Sequence, residues 1–102
     1  MIRYYSHYTF IYPDIYLKNS IVELDDIGKI TYVYPYQREI ERTEFYSGLL
    51  LFVPSDVDVN LDFVDKVKKN GTFSNQYTIP LPYYICKVFT EDLFNLRTRL
   101  DI

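Results

Sequence analysis

Oxygen-bearing side chains alternate along a short stretch of the chain, at Asp56, Asp58, Asn60 and Asp62. A calcium-binding EF-hand loop begins with such an alternation, but it also needs Gly at loop position six and a bidentate Glu at position twelve. Counted from Asp56, those positions hold Leu61 and Val67, and a start at Asp58 is no better. The sequence therefore predicts no metal site, and we interpret the stretch as a polar strand edge that leads into a helix cap.

The chain has one histidine, His7, and one cysteine, Cys86. A single histidine cannot build a His-rich catalytic metal site, and no surrounding residue favours a thiolate or a Cys–His pair. A lone cysteine within a predicted strand is typical of a small buried hydrophobe. The Ser-Gly pair at 47–48 lacks the Gly-x-Ser-x-Gly frame, and Asn-Gly-Thr at 70–72 lacks the glycines of a phosphate loop. We expect no catalytic residue, no cofactor and no enzymatic activity.

Tyrosine is the unusual residue type of this chain, with 12 copies. Many lie in the first half, at Tyr4, Tyr5, Tyr8, Tyr12, Tyr16, Tyr32, Tyr34, Tyr36 and Tyr46. A phenol ring has an apolar body and a hydrogen-bonding end, so tyrosines are enriched at interfaces. Two interpretations stay open. The rings fill a core that lacks Trp and Ala, or they form a surface that binds a partner protein, a sugar or another small molecule.

The composition favours strands over helices. The chain of 102 residues contains no Ala and no Trp, and 19% of its residues are aromatic. Ala is the best helix former, whereas aromatic and β-branched side chains suit a pleated, half-buried surface. The length predicts a single β-rich domain over residues 1–102, with one modest core.

Charge and hydropathy argue against several classes of partner. The net charge is −3, and the one basic cluster, Lys66, Lys68 and Lys69, is too small for a nucleic-acid surface. The longest apolar run, residues 49–54, is far shorter than the ~20 residues that a membrane-spanning helix requires. A single cysteine cannot form an intrachain disulfide, which suits a reducing compartment. We expect a cytoplasmic protein that binds neither nucleic acid nor membrane.

The first third of the chain predicts three strands. Residues 17–20 lead into a strand that continues over 21–25, and this strand and 29–34 flank an Asp/Gly turn, which is a hairpin signal. Residues 1–12 form the first strand, in which strict alternation places a set of side chains on one face: Arg3, Tyr5, His7 and Thr9.

The remaining strands are less regular. Residues 44–53 are mostly apolar without alternation, which predicts a central strand buried on both faces. Gly48 inside this run predicts a bulge or a bend. Further strands are expected at 77–79, 83–89 and 92–100.

One helix is predicted over residues 60–70. Asn60 is a suitable N-cap, acidic residues come early and lysines late, and Gly71 is a typical helix stop. The core-facing residues are expected to be Leu61, Val64 and Val67, with Phe63 beside them. The whole pattern predicts a mainly β fold, an antiparallel sandwich or barrel-like sheet with one short helix at about 60–70.

Residues 20–59 resemble the N-terminal β segment of the amidohydrolase superfamily of metal-dependent hydrolases. Residues 21–30 match the family's strand, Asp/Gly turn and strand, 46–51 resemble the Gly-x-Leu-Val run that enters the barrel, and 53–58 fall where the family has Pro-Gly-Phe-Val-Asp. The metal-binding His-x-His positions carry Asn60 and Asp62 here. The resemblance implies a free-standing relative of the small composite β domain, without the catalytic barrel or its activity.

Two functions from different classes follow. The first is a non-catalytic β module for protein–protein interaction or scaffolding, which self-associates as a homo-oligomer such as a dimer, or serves as an accessory to a hydrolase. It predicts an exposed apolar or tyrosine-rich face. The alternative is a small-molecule or sugar-binding module that uses a tyrosine-rich surface, and it predicts a concave pocket with convergent polar groups.

Overall fold

Five strands and one helix form, most of them near the runs where the sequence predicts them. A computed structural model describes residues 1–36, 42–93 and 96. The elements are β1 (Ile2–Ile11), β2 (Ile15–Leu24), β3 (Ile30–Pro35), β4 (Thr43–Pro54), α1 (Leu61–Asn70) and β5 (Cys86–Thr90). The predicted mainly β fold with one short helix is confirmed. The described strands form one five-stranded sheet, where the sequence left a sandwich and a barrel-like sheet open.

The sheet is mixed, with the strand order β3-β2-β1-β4-β5. The neighbouring pairs are antiparallel except β1 and β4, which are parallel, with Ile11 opposite Phe52. The prediction of an antiparallel sheet needs correction at this one pair. β4 runs in the same direction as β1 because both strands start at the same end of the sheet, where Arg3 lies opposite Thr43.

The central strand is β1, and β4 lies one place from the centre. The prediction that residues 44–53 form the central strand is therefore corrected. Their continuous apolarity reflects burial on both faces, as predicted, since Leu50 and Phe52 join one hydrophobic cluster and Leu51 and Val53 join another.

These two clusters lie on opposite faces of the sheet, and helix α1 covers the second. The first core consists of Tyr4, Ile11, Leu17, Val22, Leu24, Ile30, Leu50, Phe52, Cys86, Val88 and Leu96. The second core consists of Phe10, Leu49, Leu51, Val53, Val64 and Val67. We call the side of the sheet that carries the second core the helix face.

A β-bulge interrupts the parallel pair of β1 and β4. Ser6 lies opposite Tyr46, but Tyr8 lies opposite Leu49, so β4 carries one more residue than β1 across this interval. Gly48, with φ at +95°, lies within this interval of β4, between Tyr46 and Leu49. This confirms the bulge that a glycine within an apolar strand predicted.

Strict alternation along β1 ends at the bulge, beside His7. Thr9 is buried, and its hydroxyl oxygen lies 2.7 Å from Ser6 Oγ and 2.9 Å from Ser20 Oγ. Thr9 therefore faces the same side as Ser6, and the prediction that it shares a face with Tyr5 is wrong. The break in the alternation of β1 coincides with the register shift between Ser6 and Tyr8.

Helix α1 begins and ends as predicted. The Asn60 side chain accepts a hydrogen bond from the Phe63 amide at 2.9 Å, which caps the first turn. Val64 and Val67 are buried, but Leu61 is 69% exposed, so its predicted core position is wrong. A helix turns by about 100° per residue, and the core-facing stripe of Phe63, Val64 and Val67 leaves Leu61 on its flank.

β3 pairs with residues 20–24 of β2. The segment after the helix passes beside the other half of β2, from one face of the sheet to the other. Ser74 bridges to Leu17, and Tyr84 on the opposite face donates a hydrogen bond from its hydroxyl to the Tyr12 carbonyl at 2.7 Å. The strand predicted at 77–79 is absent, and the one predicted at 83–89 begins at Cys86. The strand predicted at 92–100 lies mostly outside the described residues. No helix in the described part of the chain is long and apolar enough to cross a membrane.

Candidate functional site

A layer of aromatic rings lies on the half of the helix face that α1 does not cover. β1 contributes Tyr5 and His7, β4 contributes Phe45, and Tyr36 follows β3 directly. The register of the parallel pair brings the layer together, because Tyr5 lies directly opposite Phe45. We call these four residues the aromatic face.

The rings of the aromatic face pack on one another. Tyr5 stacks on Tyr36 with a centroid distance of 4.1 Å and lies 4.9 Å from the Phe45 ring. His7 meets the Phe45 ring edge to face at 5.3 Å. Phe45 and Tyr36 nevertheless stay 51% and 45% exposed. The layer is therefore ordered by its own contacts while one side of it faces solvent.

A polar cluster borders the aromatic face along β1, β2 and β3. The Glu23 carboxylate accepts a hydrogen bond from the Tyr34 hydroxyl at 2.6 Å and another from Arg3 Nε at 3.2 Å. Burial, followed by the hydrogen bond to Glu23, raises the pKa of Tyr34 to about 12. The Glu23 hydrogen bond also raises the pKa of Arg3. The cluster holds one positive and one negative charge, so it adds no net charge to the face.

A cavity of about 250 Å³ opens between the sheet and the end of α1. Its apolar wall is formed by Tyr8, Leu49 and Phe73, and the Tyr8 and Phe73 rings meet edge to face at 5.1 Å. Lys68 and Glu91 line the same cavity, and Lys68 Nζ lies 2.7 Å from Glu91 Oε2. An ion pair thus stands beside an aromatic wall.

Glycine at position 48 leaves room for the Glu91 carboxylate in this cavity. A Cβ at Gly48 would overlap Glu91 Oε1, and the backbone there has a positive φ that L side chains rarely adopt. Lys68 reaches the carboxylate from the last turn of α1, and the hydrogen bond to Glu91 raises the pKa of Lys68. The bulge in β4 therefore positions one half of the ion pair.

The candidate residues of the sequence are not brought together into a chemical site. His7 lies on the aromatic face, whereas Cys86 is buried in the first core on the opposite side of the sheet. Asn60 caps α1, and Asp62 pairs with Lys66 at 3.4 Å on the helix surface. Across the described residues, no group of three or more His, Cys, Asp or Glu side chains is placed to hold a metal ion.

The tyrosines divide between the two interpretations that the sequence left open. Tyr4 is a core residue at 1% exposure, whereas Tyr5 and Tyr36 belong to the aromatic face and Tyr8 lines the cavity. No pattern in the sequence distinguishes Phe45 from the other residues of its apolar run. Its position beside Tyr5 becomes apparent only from the pairing of β1 with β4.

The sequence does not predict the ion pair of Lys68 and Glu91 either. The two residues are far apart in the chain, and each one, taken alone, is typical of a charged residue at the solvated surface. Only Gly48, which the sequence marked as a bulge, points to this part of the molecule.

No protein family, curated protein or solved structure was found to match this chain. The resemblance of residues 20–59 to the amidohydrolase β segment stays a prediction. The hairpin of β2 and β3 that carries part of it is formed, with a turn in which three backbone amides donate to Asp25 Oδ1. These bonds lower the pKa of Asp25, and the bond from the Lys29 amide has the largest effect.

Proposed function

We propose that this protein is a non-catalytic interaction module that binds a second copy of itself through the aromatic face. The observation that carries the proposal is the layer of packed rings, with Phe45 and Tyr36 about half exposed, on the part of the helix face that α1 does not cover. Soluble monomers rarely expose large contiguous apolar patches, and such patches mark interaction sites. Aromatic residues are among the types enriched at the centre of protein interfaces.

The aromatic face has the rigidity that favours binding. Its rings already hold one another in place, so docking would fix few additional torsions and would lose little conformational entropy. Burial of the remaining exposed area of Phe45 and Tyr36 would then stabilise the complex through the hydrophobic effect. Preorganised aromatic residues of this kind commonly supply most of the binding energy of an interface.

The charge distribution supports a second copy as the partner. Arg3 and Glu23 neutralise one another beside the rings, so two such faces approach without a net repulsion from this cluster. A two-fold symmetric dimer presents the same patch on both subunits, and it is the commonest form of soluble oligomer. An apolar patch bordered by a balanced ion pair suits that self-complementary arrangement.

Light scattering across a concentration series tests this proposal. Wild-type protein is expected to pass from monomer to dimer, and Phe45→Ser is expected to weaken the dimer by at least about tenfold, or about 1.4 kcal/mol. Tyr36→Ser should act in the same direction. Tyr83→Ser is the matched control, because Tyr83 is 94% exposed and lies outside the aromatic face.

Two results would contradict the proposal. A wild-type protein that stays monomeric at the highest soluble concentration excludes self-association. A dimer that Phe45→Ser and Tyr83→Ser weaken equally would show that the contact lies elsewhere. Circular dichroism of each variant confirms that the sheet is intact before the masses are compared.

A further inference from the structure

We infer that the cavity between β4 and α1 binds a free α-amino acid with an aromatic side chain. This site is separate from the proposed dimer contact, since its lining does not include any residue of the aromatic face. The inference stands on three features of the cavity, namely its size, its aromatic wall and the paired opposite charges at its side.

The size of the cavity selects a small ligand. Pockets for drug-sized molecules span about 300–1,000 Å³, and this cavity, at about 250 Å³, lies just below that range. A molecule with one aromatic ring and a short polar end is of this scale. A larger cofactor or an oligosaccharide would project far into solvent.

The walls select an aromatic ring. Tyr8 and Phe73 present their rings at 5.1 Å in an edge-to-face arrangement, and Leu49 of the second core adds an aliphatic surface. Aromatic pairs favour edge-to-face and offset-stacked contacts beyond the area that they bury. A third ring would extend this cluster.

The charges select a zwitterion. Lys68 Nζ and Glu91 Oε2 are 2.7 Å apart, and an α-amino acid carries an ammonium and a carboxylate at a similarly short separation. An ammonium has three donors and a carboxylate two acceptor oxygens. Lys68 and Glu91 can therefore keep their mutual bond while Lys68 also donates to the ligand carboxylate and Glu91 accepts from the ligand ammonium.

Partial exposure leaves both charges available to a ligand. The side chains of Lys68 and Glu91 are 52% and 35% exposed, so a ligand can reach them without unfolding the helix. A solvent-exposed ion pair contributes little net stability, so rearrangement on binding is not costly. Gly48 keeps the Glu91 carboxylate against the wall of the cavity, where a larger residue would displace it.

An NMR titration of the full chain with three related probes tests the inference. L-Phenylalanine carries both charges, 3-phenylpropionate lacks the ammonium, and 2-phenylethylamine lacks the carboxylate. We expect L-phenylalanine to shift the amide signals of Gly48, Leu49 and Glu91. Its affinity should be at least about tenfold higher than that of either analogue.

Two variants test the roles of the Lys68 and Glu91 charges separately. Lys68→Met should weaken the binding of L-phenylalanine and 3-phenylpropionate but not that of 2-phenylethylamine, and Glu91→Gln should weaken the binding of L-phenylalanine and 2-phenylethylamine but not that of 3-phenylpropionate. Lys66→Met is the matched control, because Lys66 lies on the same helix but pairs with Asp62 outside the cavity. It should leave the affinities of all three probes unchanged.

The inference is overturned if L-phenylalanine causes no saturable shifts, or if the three probes bind wild-type protein equally well. Shifts confined to Tyr36 and Phe45 would also overturn it, because they would place the ring on the aromatic face. Wild-type protein alone decides these outcomes, so they hold even if a variant fails to fold.

Discussion

Three buried hydroxyl groups form a single chain of hydrogen bonds where β1 meets β2. The Ser20 hydroxyl donates to Thr9 Oγ1 at 2.9 Å, and Ser6 Oγ donates to the Tyr8 carbonyl at 2.9 Å. Each hydroxyl has one proton to donate. The remaining contact, 2.7 Å between Ser6 and Thr9, must therefore use the Thr9 proton. Each of these three hydroxyl donors has an acceptor, and Thr9 lies in the middle of the series.

Substitution of Thr9 by valine tests this chain at the scale of one residue. The valine keeps the volume but leaves the Ser20 hydroxyl without its acceptor, which should lower the free energy of unfolding by about 1–3 kcal/mol. Urea denaturation measures the change. Thr78→Val, at an exposed position, serves as the control and should stay within about 0.5 kcal/mol of wild type. Equal stability of the two variants would contradict the role of Thr9.

At the scale of the element, helix α1 ends where the chain passes close to Tyr16. Gly71 has φ at −80°, an ordinary backbone conformation, so glycine is not needed there for a left-handed turn. A Cβ at Gly71 would instead lie 2.5 Å from Tyr16 Cδ2. The sequence predicted the right residue as the helix end, but close packing rather than backbone freedom explains why it is glycine.

Gly71→Ala should therefore be destabilising although alanine is a better helix former. The added methyl must push the Tyr16 ring away, and overpacking of this kind costs about 1–3 kcal/mol of unfolding free energy. Thermal unfolding followed by circular dichroism provides the measurement. Asn70→Ala, at the exposed neighbouring position, should be nearly neutral. A Gly71→Ala variant with a raised midpoint would show that the ring moves freely.

Local signals predicted the elements well because they act within a few residues. The Asn60 cap and the charge order of α1 are satisfied inside the helix itself, and Gly48 marked the bulge of β4. The exposed Leu61 was mispredicted because the orientation of a helix about its axis depends on the sheet beneath it. Periodicity identified the buried side with Val64 and Val67, but it did not show whether the sheet extends far enough to cover the flanking Leu61.

At the scale of the whole molecule, both candidate sites depend on distant pairings. The aromatic face needs Tyr5 and Phe45 side by side, which follows from the parallel register of β1 and β4. The cavity needs Lys68 and Glu91, which meet only when β5 adds to the edge of β4. The sequence singled out the tyrosines but could not show which of them would lie beside these partners, because strand order is set by the packing of the whole chain.

Three tyrosine hydroxyls donate short hydrogen bonds, one between neighbouring strands and two from the segment between α1 and β5, and they predict the stability of the protein at alkaline pH. Tyr34 donates to Glu23 at 2.6 Å, Tyr77 to the Lys18 carbonyl at 2.6 Å and Tyr84 to the Tyr12 carbonyl at 2.7 Å. Burial is the main cause that raises the pKa of each of these hydroxyls above the ordinary value of 10.0. The pKa of Tyr34 is raised to about 12.

The unfolded chain releases these three protons first, so above pH 10 the unfolded state binds fewer protons than the folded state. The free energy of unfolding must then fall as the pH rises through about 12, whereas below the ordinary pKa these groups give it no pH dependence. Urea denaturation at stepped pH measures this slope.

Tyr84→Phe gives the sharpest comparison for that slope. The variant should lose about 1 kcal/mol at neutral pH, because the Tyr12 carbonyl loses its donor. It should also show a shallower alkaline fall than wild type, since one of the three titrating groups is gone. Tyr83→Phe, at a 94% exposed position, should keep the wild-type slope. A wild-type stability that stays constant up to pH 12 would contradict the burial of these hydroxyls as the cause.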